Sequence, residues 1–125
     1  MDQPKIALTR LGNSPTENYG QATIHWLASK AASGARELTF GLTSIQPGGG
    51  SPLHRHPNCE EVLHMLRGEI DQVVEGMENL RMKAGDTITI PRNVKHCAIN
   101  VGTEPAEMIV VFSSPERQTI LESRG

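Results

Sequence analysis

Three of the five histidines in this 125-residue chain stand at spacings that matter chemically: His54-Arg55-His56, with Glu60-Glu61 a few residues on, and His96 further along. On an extended strand residues two apart share a face, so His54 and His56 can converge on one point. Glu61 opens the next apolar stretch, and turned inward it shares its face with Leu63 and Met65. A carboxylate among apolar neighbours needs a partner, and a metal ion supplies one. His96 starts another short stretch, with Ala98 on its face. Taken singly, each histidine has an ordinary reading as a hydrogen-bonded residue of a half-buried strand. Taken together, three imidazoles and a carboxylate suit one divalent transition ion, Fe, Mn, Ni, Cu or Zn.

The elements that must position these groups are short. From residue 21 onward, apolar stretches recur at the spacing of all-β sandwiches and barrels, with the 12 Gly and 8 Pro largely between them. Strands are predicted over residues 21–28, 37–45, 51–56, 61–66, 70–74, 80–82, 87–90, 96–100 and 106–112. Only the mostly polar tail, 115–122, has a trace of helical spacing. The pattern predicts one all-β domain, a small closed barrel or sandwich, over residues 21–114. A surface arm (1–20) precedes it and a tail (115–125) follows.

Charge and composition narrow the partners. A formal net charge of -2 and a pI near 6.2 leave no basic field for a phosphate backbone, so no nucleic-acid partner is expected. The longest wholly apolar run, 108–112, is far short of a membrane helix, and Met1-Asp2-Gln3 is no lead-in to a signal peptide. A soluble, cytoplasmic protein is expected. Two cysteines, Cys59 and Cys97, are too few for a disulfide framework, and reduced thiols are expected.

At this point the sequence resembles the cupin superfamily. That family's first motif reads Gly, five residues, His-x-His, three or four residues, Glu, six residues, Gly; here Gly48, His54, His56, Glu61 and Gly68 match in order. The second reads Gly, five residues, Pro-x-Gly, two residues, His, three residues, Asn; Gly85, Pro91, His96 and Asn100 match, and Asn93 replaces the glycine. Asn is the commonest other residue at positive φ, so the turn is still expected. The resemblance implies a small jelly-roll β-barrel with one divalent metal held by His54, His56, Glu61 and His96, while Glu60 points away. Up to two coordination positions would then be open to water, dioxygen or substrate. A homodimer is expected because the family commonly forms one, and residues 21–28 offer Ile24, Trp26 and Leu27 for a contact.

Gln72 shares the face of Ile70 and Val74 and is the candidate catalytic side chain, able to hydrogen-bond a ligand or bound water. The alternative is an amide satisfied by backbone. Leu63, Met65, Ile70, Val74 and Ala98 are the expected pocket walls. His64 has the opposite parity from Glu61 and should face away. His25 and Trp26 point to opposite faces, and the pattern leaves open which is inside. Cys97 should be a small buried thiol, Cys59 lies in the ligand loop, and Arg55, Arg67 and Arg92 read as solvated surface charge. The function expected is a metal-dependent enzyme acting on a small chelating organic anion. Oxygen-dependent, dioxygenase-like cleavage is favoured over Lewis-acid isomerisation or decarboxylation. The competing reading is a binding or sensory module with a structural metal.

Overall fold

A computed structural model describes residues 5–122; residues 1–4 and 123–125, the outer ends of the expected arm and tail, lie outside the described residues. Strands dominate, in two antiparallel sheets. The first has the order β1-β2-β3-β10-β5-β8 and comprises β1 (Thr16–Tyr19), β2 (Ala22–Ala28), β3 (Thr39–Ile45), β5 (Glu61–Arg67), β8 (Thr87–Ile90) and β10 (Ala106–Phe112). The second, β11-β4-β9-β6-β7, comprises β4 (His54–Arg55), β6 (Glu69–Val74), β7 (Leu80–Lys83), β9 (His96–Asn100) and β11 (Ile120–Leu121). This is the jelly-roll arrangement expected of the sequence.

Strict alternation makes β3, β5, β6 and β10 one-sided. β3 and β10 bury every second residue along their whole length, and β5 does so through Glu61, Leu63 and Met65. Ile45, Met65, Ile70 and Met108 are at most 1% exposed between the sheets, the transfer of apolar surface from water that drives such a sandwich together.

The motif residues have physical reasons. Gly48, Gly68 and Gly85 all have positive φ, and so does Asn93 at 69°, the residue that stands where the family motif has glycine. The buried Asn100 side chain donates to Ile45 O (2.8 Å) and Glu104 O (2.9 Å) and accepts from Gly102 N (2.8 Å), tying the loop after β9 to the end of β3. Gly68 is the most constrained of these glycines: at φ 80° a Cβ would stand 2.8 Å from Ala106 Cα and 2.9 Å from Pro105 O. Backbone strain and backbone collision coincide there. Gly68→Ala is therefore expected to cost about 2 to 4 kcal/mol of unfolding free energy, against about 1 kcal/mol for Gly76→Ala, where φ is 83° but the space is open. Equal denaturation midpoints for the two variants would contradict this.

Both ends differ from the expectation. Thr16–Tyr19, within the expected surface arm, pairs with β2; its side chains are too polar to announce a strand. Residues 115–122 form no helix but an extended strap whose Ile120 and Leu121 pair with Arg55 and His54. Pro115 and β-branched Thr119 and Ile120 disfavour the helix. The strap's backbone finds its partners across the sandwich: Lys30 N donates to Pro115 O, Asn58 Nδ2 to Glu116 O, and Glu122 N to Leu53 O. One helical turn, α1 (Lys30–Ser33), is capped by Ser29, whose hydroxyl accepts from Ala32 N, and ended by Gly34 at φ 75°.

Candidate metal centre

Four short pieces of backbone carry the expected ligands to one place. His54 lies on β4 directly opposite His96, the first residue of β9. The expected strand 51–56 is only two residues long, because Pro52 cannot donate to a ladder and Pro57 turns the chain. His56 therefore lies just beyond β4, yet its ring centroid is 4.9 Å from that of His54 and 5.4 Å from that of His96. Glu61 opens β5 on the facing sheet and is buried, while Glu60 is exposed. One ligand atom from each of His54, His56, Glu61 and His96 lies within 4.8 Å of the others.

The hydrogen bonds define which nitrogens face inward. His54 Nδ1 lies 2.7 Å from Pro52 O, His56 Nδ1 2.9 Å from Gln118 O, and His96 Nδ1 2.8 Å from Val94 O. A carbonyl only accepts, so each Nδ1 carries a proton and it is each ring's Nε2 that faces the centre, offering a lone pair whenever the ring is neutral. Glu61 Oε1 sits 3.0 Å from His96 Nε2 and 3.2 Å from His56 Nε2, and His56 Nε2 is buried without a hydrogen-bond partner. Lone pairs aimed at a carboxylate repel unless a cation or protons intervene. The donor set fits a divalent transition ion, with hard and borderline ligands in the proportion such ions accept.

The electrostatics agree. Burial, reinforced by neighbouring His96, lowers the His54 pKa to about 4, so that ring is neutral at neutral pH. Burial alone would push Glu61 up, but contacts with His56 and His96 outweigh it and hold the carboxyl at about 2. His96 is raised, the pull of burial being overcome by the Glu61 carboxylate. Glu61 is thus ionised throughout the physiological range.

Above the ligands lies a recess of about 80 Å³. Leu63 and Ala98 line it as expected, together with Ile45, Met108, Val110 and Phe112. Met65, Ile70 and Val74, also expected as walls, do not line it: Met65 and Ile70 are wholly buried in packing beneath. Gln72 does line it. Its Nε2 donates to Cys97 O at 3.2 Å, and its buried Oε1 has no hydrogen-bond partner. Trp26 is the inward residue of its pair, packed over Gly41 at the cavity wall, while His25 faces Thr16. His64 faces away and bonds Thr87 Oγ1 at 2.7 Å. Cys59 and Cys97 are buried thiols, and neither belongs to the ligand group. Arg67 is a surface charge paired with Glu107, and Arg92 is exposed. Arg55 departs from that expectation: it is half-buried, binding Glu122 and Asn93 and so holding the strap.

The strap itself supplies what the motifs did not announce. Thr119, Leu121 and Arg117 line the recess, and Gln118 holds His56. No local pattern marks these residues, because their relation to the site arises only when residues 115–122 fold back to lie alongside β4.

The profile described as Cupin domain matches residues 41–112. The chain is 30% identical to Oxalate oxidase 1 of Hordeum vulgare over 114 residues, covering 86% of this chain and 57% of that protein. It is 31% identical to Auxin-binding protein 1 of Arabidopsis thaliana over 115 residues, covering 84% and 58%. The chain thus spans a little over half the length of these curated relatives. Among solved structures, an S161A mutant of Bacillus subtilis oxalate decarboxylase OxdC superposes with TM-score 0.81 at 20% identity, covering 90% of this chain and 31% of that one. The polyketide cyclase RemF from Streptomyces resistomycificus gives 0.77 at 18% identity, covering 99% and 88%. Similarity to these structures concerns the fold.

Proposed function

This chain belongs to the cupin family, and from that premise we propose that it is a metal-dependent enzyme acting on a small chelating organic anion. The observation that carries the reading is the convergence of three Nε2 lone pairs and the Glu61 carboxylate at the floor of an apolar recess. A divalent ion held there supplies a Lewis acid and, where its oxidation state can change, a path for electrons to dioxygen. With three neutral imidazoles and one carboxylate around it the centre keeps about one positive charge, which acts strongly between walls that accommodate water poorly.

The chain's own residues bind and orient. Besides the ligands, the ionisable lining groups among the described residues are Tyr19 and Arg117. Tyr19 stays a neutral donor, since burial and then its hydrogen bond to Glu17 raise its pKa. Among the described residues no carboxylate other than Glu61 lines the recess to serve as a general base. Gln72 offers an unpaired acceptor, and an acceptor asks for a donor. A ligand hydroxyl or enol meets that demand, so 2-hydroxy acids, enediols and catechols suit the site. The similarity to an oxalate oxidase solved with the substrate analogue glycolate supports this substrate class.

We favour oxygen-dependent oxidation or cleavage of the dioxygenase type, supported by the oxalate oxidase relatives. Likeness to oxalate decarboxylase keeps Lewis-acid decarboxylation beside it, and likeness to Auxin-binding protein 1 favours a second reading, a binding module without turnover. Loading the protein in turn with Mn, Fe, Ni, Cu and Zn and supplying glycolate, oxalate and catechol separates these. Dioxygen uptake is expected; carbon dioxide release without uptake selects decarboxylation, and binding without product selects the module. Gln72→Ala is expected to weaken glycolate about tenfold, the worth of one buried hydrogen bond, and unchanged calorimetric affinity would remove Gln72 from the site.

The assembly proposed is a homodimer. The first sheet ends in the polar edge strand Thr16–Tyr19, preceded by the exposed side chains of Ile6, Leu8 and Leu11, which a second subunit would cover. Sedimentation at micromolar concentration should give twice 13.6 kDa; a monomer contradicts it. The buried thiols of Cys59 and Cys97 are consistent with the proposed cytoplasmic location.

A further inference from the structure

We infer that Arg117, on the C-terminal strap, is a specificity-determining residue that binds a second anionic group of the substrate, at the opposite end from the chelating group. The inference rests on the metal-dependent reading above and deepens it. Arg117 lines the same recess as the ligands. Its guanidinium carbon lies 4.3 Å from the Trp26 ring centroid and 5.3 Å from that of Phe112. On its other side the Phe112 ring packs edge-on against His56 at 4.9 Å. One aromatic ring therefore spans the gap between the cation and the ligand shell.

The cation is poorly matched by what surrounds it. Its side chain is only 15% exposed; of its five N–H donors one is given to Thr119 Oγ1 and one meets the Tyr19 hydroxyl, which leaves donors to spare. The nearest carboxylate, Glu17, stands 3.9 Å away, beyond hydrogen-bond length, and already accepts from Trp26 Nε1 and the Tyr19 hydroxyl. The Trp26 and Phe112 rings, tilted 55° to one another, hem the guanidinium in on two sides, and its planar fork suits recognition of a carboxylate. A centre that keeps about one positive charge when loaded lies across the same recess. Two cationic centres separated by apolar walls ask for a dianion; a monoanion with an alkyl tail would satisfy one and leave the other desolvated. The substrate class is a 2-hydroxy acid, or an equivalent chelating group, with a distal carboxylate.

The test uses metal-loaded protein and matched pairs that share a chelating end: malate against 2-hydroxybutyrate, and 2-hydroxyglutarate against 2-hydroxyvalerate. Calorimetry is expected to show the dicarboxylate of at least one pair binding about tenfold or more tightly, although apolar walls alone would favour the alkyl member. Arg117→Gln should remove that advantage while leaving metal content and affinity for the monocarboxylates within about twofold, and Arg117→Lys should keep part of it. A purely structural role would weaken both members together. If the monocarboxylates bind but neither dicarboxylate is preferred, or if Arg117→Gln weakens both members equally, the inference is overturned and the chelation reading stands. If none of the four acids binds the metal-loaded protein, both are overturned.

Discussion

His54→Ala combined with His96→Ala is expected to abolish metal binding, with affinity falling by more than about 10³-fold, because two of four protein donors cannot hold a borderline ion against water. The pair is chosen to leave the 3.2 Å contact between His56 and Glu61 in place, so the buried carboxylate keeps a neighbour. His54 and His96 face one another at the junction of β4 and β9 with ring centroids 4.3 Å apart, so removing both opens one side of the centre. Near-unchanged far-ultraviolet circular dichroism would show that the sandwich survives. One equivalent of metal per chain in the dialysed double variant would sink the ligand assignment.

Acid should release the metal, with His96 and His54 entering at different pH because their proton affinities are unequal. In the metal-free protein His96 has a raised pKa, so on going down in pH it takes its proton first, beginning above the ordinary histidine value of 6.5. His54 resists until about pH 4. The sign follows from competition at Nε2: a proton there excludes the ion, so affinity is greatest above both values and lost as pH falls. From His96 alone a decline of about tenfold per pH unit is expected below its pKa, steepening below about 4 as His54 joins. Glu61, held at about 2, stays ionised across this range and does not contribute to the slope. Metal affinity that is flat between pH 7 and pH 5 would contradict this account.

Much of the centre was legible in the sequence because its geometry is local. The two-residue period of His54 and His56, the parity separating Glu61 from Glu60 and His64, and the turn before His96 are properties of short segments. Asn93 could be placed at positive φ from its residue type and its position in the second motif. What escaped was non-local. Nothing in residues 115–122 says that they pair alongside β4, or that Gln118 O will orient His56. Met65 and Ile70 were expected at the cavity because parity gives the face of a strand, not the depth along it. Trp26 could not be assigned a side until the close approach to Gly41 was known, since alternation marks two faces without saying which one closes.

Whether the metal site binds the substrate is tested most directly by calorimetric titration of glycolate into metal-loaded protein and into the same preparation stripped of metal. Saturable binding with one site per chain is expected in the loaded protein, with affinity reduced by at least about a hundredfold after stripping. Equal affinity in the two preparations would place the anion elsewhere and contradict the account.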